Sequence, residues 1–151
     1  MRRNGDLLEA LRRPDAQGRT PVQVAVQSSW HEALAALLEM GAPPDGGDTA
    51  SGWSPLMYAV SGGDLAAAAI LVAHGASVNF VAQPHGWTPM TTALASNDTN
   101  FVHWLLDRGA DAEAAIRRLR VNLDRGDCGG QEEALGRILA SRWRVQRDEK
   151  K

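Results

Sequence analysis

At 151 residues, 44% apolar and 23% charged, the chain has the make-up of one soluble globular domain with enough material to bury a core. Its formal net charge of −2 singles out no class of partner. A single cysteine, Cys128, excludes an internal disulfide and suits a reducing compartment, and no apolar run approaches the ~20 residues of a membrane span. Ala, Leu and Gly carry most of the apolar mass, which points to helices packed closely through small side chains.

In chain order, the first element falls in MRRNGDLLEALRRP (1–14). It opens with two Arg but lacks the apolar stretch of a signal peptide, so a cytoplasmic protein is expected, or a nuclear one in a eukaryote. DLLEAL (6–11) is the helical part. Charge is uneven along the chain: residues 1–13 carry +2, residues 14–111 carry −7 and residues 112–151 carry +3. The acidic middle slightly favours a partner with a basic surface, although a solvated surface of mixed sign is the preferred account.

From residue 14 the chain repeats itself. GRTPVQVAV (18–26), GWSPLMYAV (52–60) and GWTPMTTAL (86–94) follow one another at an interval of 34 residues. Gly41-Ala42, Gly75-Ala76 and Gly109-Ala110 keep the same interval. Landmarks that hold register through three copies imply a stack of repeated units. Each landmark has a mechanical reason. Thr or Ser before Pro starts a helix: the hydroxyl accepts from an orphan N–H, and Pro at the first helical position forfeits no hydrogen bond. The Gly two residues earlier permits a tight turn with positive φ.

A first helix is predicted at 21–28, 55–61 and 89–95. Its apolar face is Val22, Ala25 and Val26, then Leu56, Ala59 and Val60, then Met90, Ala93 and Leu94, spaced i, i+3, i+4. A second helix is predicted at 31–40, 65–74 and 99–108, with the face Leu34, Leu37 and Leu38, then Ala68, Leu71 and Val72, then Val102, Leu105 and Leu106. Gly41, Gly75 and Gly109 stand where a left-handed residue ends a helix. Neither helix is long enough to stand alone, so stacking must bury both faces. After Gly109 the hydroxyl-Pro landmark is lost, and two helices are predicted at about 112–124 and 130–146. Their Arg-rich polar faces suit an end unit that meets water. The expected organisation is one domain over 1–151: a capping helix in 1–13, repeats at 14–46, 47–80 and 81–113, and capping helices in 114–151.

This pattern resembles the ankyrin repeat. The family pattern is a turn ending in Gly-x-Thr-Pro-Leu-His, two short helices with Leu-Leu near the end of the second, then Gly-Ala-Asp. GWSPLMYAVSGGDLAAAAILVAHGASVN (52–79), GWTPMTTALASNDTNFVHWLLDRGAD (86–111) and GRTPVQVAVQSSWHEALAALLEMGA (18–42) carry the likeness. The resemblance implies an all-α solenoid of stacked helix-turn-helix units with extended turns. The family's His gives way to Gln23, Met57 and Thr91. That His usually ties neighbouring turns together; Gln and Thr can partly do so and Met57 cannot, so the second turn is expected to be held less firmly. The loop PPDGGDTAS (43–51) departs from the family's Asp-Val-Asn and is expected to be mobile.

The resemblance also implies function. Such stacks bind other proteins through a concave surface of turn tips and exposed first-helix sides. No small-molecule substrate, cofactor, metal or membrane is expected, and a single stack is expected to be monomeric on its own. Residues in these places are Gln17 and Arg19, Ser51 and Trp53, and His85 and Trp87 at the tips, with Ser61 on a first helix. Trp53 and Trp87 are equivalent in adjacent units, with Arg19 in line. Trp and Arg are common interface hot spots, so the pair anchors a partner or each Trp covers its own turn. Tyr58 either lines a slot beside Trp53 or is a half-buried packing residue.

Other candidates point elsewhere. The four His are dispersed and no His, Cys and carboxylate cluster has metal-ligand spacing. His74 precedes the terminal Gly of its helix and suits an interaction with the helix end. Cys128 lies among glycines before a helix start, and nothing beside it in sequence resembles a base for a nucleophile. The segments 115–125 and 142–151 are Arg-rich and could touch phosphates, but interspersed acids argue for solvated cap helices. Two functions are therefore distinguished: a non-enzymatic adaptor or inhibitor that binds a protein, and a scaffold whose C-terminal segment binds nucleic acid or carries a minor catalytic or redox role.

Overall fold

The structure, a computed structural model, describes residues 3–46, 51–83 and 86–123. Cys128 and the helix predicted at 130–146 lie outside them. Among the described residues there are eight α-helices and no strand: α1 (Arg3–Arg12), α2 (Pro21–Gln27), α3 (His31–Glu39), α4 (Pro55–Ser61), α5 (Leu65–Ala73), α6 (Pro89–Ala95), α7 (Thr99–Asp107) and α8 (Ala112–Leu123). None is long and apolar enough to cross a membrane. The chain divides into two compact units, Met1–Pro89 and Met90–Lys151.

Within the first unit α2 packs on α3 and α4 on α5, while α2 meets α4 and α3 meets α5. Helix pairs are thus layered one on the next. Leu34, Leu56, Val60 and Leu71 are fully enclosed, and full burial of such a side chain contributes about 2 kcal/mol. In the second unit Met90, Phe101, Val102 and Leu105 are fully buried, and Ala115 anchors α8. The predicted first-helix faces are buried in all three copies.

On the second helices Leu34, Leu38, Ala68, Leu71, Val102 and Leu105 are buried as predicted, with departures at the edges of the face. Leu37, Val72 and Leu106 are only half-buried, whereas Ala67 and Phe101, which precede the predicted face, are enclosed. The reason is visible in α5. It packs on both α4 and α3, and Ala67, Ala68 and Leu71 are all fully buried.

Both helices of each repeat end alike. Gly41, Gly75 and Gly109 have φ of 98°, 94° and 87°, as the sequence implies. Their N–H groups donate to Leu38, Val72 and Leu106 O at 3.1 Å, and the following Ala N–H donates to Leu37, Leu71 or Leu105 O at 3.0 Å. This is a Schellman end. The first helices close the same way through Ser29, Gly63 and Asn97, with φ of 54°, 70° and 54°. Trp30, Asp64 and Asp98 N–H then donate to Ala25, Ala59 and Ala93 O at 2.9, 2.9 and 3.1 Å. Two left-handed corners per repeat fold the helices back on each other, and only Gly marks such a corner unambiguously in sequence.

Helix starts are less uniform. Thr20 caps α2: its Oγ1 accepts from Gln23 N–H at 3.3 Å, and Gln23 Oε1 accepts from Thr20 N–H at 2.8 Å. The equivalent Ser54 was expected to cap α4 and does not. Met57 N–H donates to the Ser54 carbonyl at 3.0 Å instead. Ser54 Oγ is buried with no partner, since the Met57 N–H that it would accept from is turned to the Ser54 carbonyl. Asp64 and Asp98 cap α5 and α7, accepting from Ala67 and Phe101 N–H at 3.0 and 3.1 Å. At the equivalent place before α3 stands Trp30, which caps nothing.

Candidate functional site

The tip of the second repeat is built by short-range bonds and one aromatic cluster. Gly52 holds φ 68°, which turns the chain toward Trp53. Trp53 N–H donates to Ser51 Oγ at 3.2 Å, and Ser51 Oγ lies 3.1 Å from Tyr58 Oη on α4. The Trp53 ring packs on Tyr58 at 5.4 Å between centroids and on Trp87 at 6.2 Å, tilted by 53° and 42°. Trp87 is fixed in turn by its carbonyl, which accepts from Ala82 N–H at 2.8 Å across an isolated bridge. All three rings are half-buried. Trp53 therefore reaches beyond its own turn to the next tip, and Tyr58 packs against it.

The second tip is also tied to the first repeat by a buried side chain. Gln23 Nε2 donates to the Trp53 carbonyl at 2.9 Å. Gln23 thus performs the tie expected of the family's His, from repeat one to repeat two. The fully buried Met57 has no such group to offer.

Arg19 stands differently from the two Trp. Its guanidinium and Nε meet Asp15 Oδ2 at 2.8 and 2.9 Å, Gln27 Oε1 at 3.1 Å and Gln17 Oε1 at 2.8 Å. Gln17 N–H and Arg19 N–H both donate to Asp15 Oδ1 at 2.9 Å. The Arg19 backbone N–H is the main reason the Asp15 carboxyl sits below its ordinary pKa. Gln17 and Arg19 form a self-satisfied turn rather than free donors. Ser61 is exposed at the end of α4. His85 lies outside the described residues.

Sequence reasoning missed the link between the second helices. His31 Nε2–H donates to the Asp64 carboxylate, with oxygens at 2.7 and 2.9 Å. Burial raises the Asp64 pKa, but the Ala67 N–H and His31 lower it by more, so the net shift is downward. A carboxylate with a lowered folded-state pKa adds stability above its unfolded pKa, and that stability is lost as pH falls through the folded value. Asp64→Asn keeps a cap acceptor but loses the charge. It is expected to cost about 1 kcal/mol at neutral pH and to flatten the decline in stability below about pH 4. Urea midpoints measured from pH 2.5 to 7 check both. His74, as expected, meets its helix end, with Nδ1 2.8 Å from the Ile70 carbonyl.

Comparison with known proteins agrees with this geometry. The family model for ankyrin repeats in three copies matches residues 2–81 and 43–116. The chain belongs to the ankyrin repeat family, and its fold is an all-α ankyrin solenoid. Among solved structures it is similar to the ankyrin repeat domain of Bcl-3, described as a unique member of the IkappaB protein family. The two are 35% identical with a TM-score of 0.64 over 70% of this chain, which spans 44% of that one. No curated protein matches. The family assignment makes this a protein–protein interaction module.

Proposed function

We propose that the chain is a non-enzymatic module that captures a partner protein through its turn tips and the exposed sides of its first helices, as an adaptor or as an inhibitor covering the partner's surface. The observation that carries the reading is the Trp53–Tyr58–Trp87 cluster. Three half-buried aromatics locked by backbone ties present apolar area with little left to order on binding. Rigid aromatics of this kind are the commonest anchors of interfaces. The acidic middle of the chain suits a partner with a basic surface. The single cysteine suits a reducing setting, cytosol or nucleus.

The test compares immobilised wild type with the Trp53→Ala/Trp87→Ala double variant in cell lysate. Each truncation is expected to weaken a specific partner by about 30-fold. Partners held by the wild type should be absent from the double variant, while helical circular dichroism persists in both. Recovery of the same proteins in the same yield by both baits removes the tips from the interface.

A further inference from the structure

We propose that the His31–Asp64 pair is a proton-operated latch between the first and second repeats, closing more tightly as the imidazole takes up a proton. His31 is the first residue of α3, and Asp64 is the residue before α5. The ring Nε2 lies 2.7 and 2.9 Å from the two carboxylate oxygens. The same carboxylate caps α5 through the Ala67 N–H at 3.0 Å, so it is held from within its own repeat. The imidazole is 41% and the carboxylate 16% exposed. A proton can therefore reach the ring, while the acceptor is largely withdrawn from water. A neutral imidazole donates one bond here. An imidazolium donates the same bond and adds the attraction of opposite charges in contact, which partial exposure screens without removing.

The surroundings leave Asp64 as the dominant charge on the ring. Helix α3 packs on α2 and α5. Neither of those helices contains a charged residue, and α4, which packs on both, offers only Tyr58. Arg19 precedes α2 and is paired with Asp15. His74 closes the far end of α5, where it meets the Ile70 carbonyl. The charges of α1, which are Arg3, Asp6, Glu9 and Arg12, belong to a helix that packs on α2. On α3 itself Glu32, the next residue, is exposed and has the sign that favours a proton on His31, while Glu39 stands at the other end of the helix. The N-terminus of α3 opposes that proton with about half an elementary charge. Asp64 sets a full charge against it, in hydrogen-bond contact.

Burial raises the Asp64 pKa, and the Ala67 N–H and His31 lower it by more. The acceptor thus stays ionised wherever an imidazole titrates. Charging His31 stabilises the fold more than the unfolded chain. The contribution is present at acid pH and is lost as pH rises through the imidazole range. Register makes the latch particular to this junction. Thirty-four residues on, Leu65 stands where His31 does, so the cap residue Asp98 has no imidazole at the corresponding place. Two other polar bonds join the first two repeats: Gln23 Nε2 donates to the Trp53 carbonyl at 2.9 Å, and Ser77 N–H donates to Asp45 Oδ1 at 2.9 Å. Neither contains an imidazole. Acid therefore tightens the second-helix end of the junction through one residue.

Urea unfolding of the full chain between about pH 5 and 8, for wild type and His31→Gln, tests this. Gln keeps a donor but takes no charge, and the comparison cancels His74, His85 and His103, which both proteins share. The ratio of the two folding equilibrium constants, wild type over variant, should grow about fivefold from about pH 8 to about pH 5, the upper range for a partly exposed ion pair. The growth should shrink to less than about twofold in about 1 M salt, where the screening length is about 3 Å. It should shrink as far when both proteins carry Asp64→Asn. A ratio that stays flat or falls toward acid pH overturns the latch, as does one that keeps its full growth in high salt or without the Asp64 charge.

Discussion

Gly52→Ala is expected to lower stability by about 3 kcal/mol, whereas Gly63→Ala should cost only about 1 kcal/mol. Both glycines are left-handed, with φ of 68° and 70°, so both substitutions carry the same backbone strain. They differ in space. A Cβ on Gly63 meets nothing within 4 Å, whereas one on Gly52 falls 2.5 Å from the Gln83 carbonyl oxygen. That obstacle is backbone, and it cannot rotate away. Gln83 follows Ala82, whose N–H holds the Trp87 carbonyl at 2.8 Å. Relief of the clash must therefore shift the strand-like turn that seats Trp87 and with it the Trp53 contact. Urea unfolding gives the difference, and Trp emission should move to longer wavelength in Gly52→Ala alone. Equal losses in the two variants would mean that the tips are not in close backbone contact.

What could be read from the sequence was the part written as a repeated constraint. Pro21, Pro55 and Pro89 begin their helices where expected, because a missing N–H is free of cost only at a helix start. Gly41, Gly75 and Gly109 take positive φ where expected. The first helices end at the positions expected, just before Ser29, Gly63 and Asn97, but the left-handed φ of Ser29 and Asn97 was not legible, since those residue types occupy many conformations. The edges of the second-helix face escaped because periodicity reports which residues are apolar, not which neighbour arrives. Leu37 and Leu71 read alike, yet Leu71 is fully buried and Leu37 only half-buried. Ser54 escaped for a similar reason. A hydroxyl before Pro predicts a cap, but at Ser54 the N–H three residues on, that of Met57, bonds the Ser54 carbonyl instead. The saturation of Arg19 by Asp15, Gln17 and Gln27 depends on side-chain placement that spacing does not specify.

The same comparison between Gln23 and Met57 gives the second large effect. Gln23→Met, which copies the second repeat into the first, is expected to cost about 2–3 kcal/mol. Gln23 is fully buried and serves two backbone groups, accepting from Thr20 N–H at 2.8 Å and donating to the Trp53 carbonyl at 2.9 Å. Met fills the volume but leaves both groups without that partner, at about 1–3 kcal/mol each, and its better apolar transfer offsets only part of this. Gln23→His restores a donor and an acceptor near the same atoms and should recover most of the loss. Thermal unfolding of the three proteins ranks them, and Trp fluorescence quenching reports the tip. If the tie acts as the geometry requires, Gln23→Met exposes Trp53 to quencher and Gln23→His does not. Equal quenching in all three would show that Trp53 is held by its ring contacts with Tyr58 and Trp87 alone, and the rigidity of the binding surface would then rest on aromatic packing rather than on the bond from the neighbouring repeat.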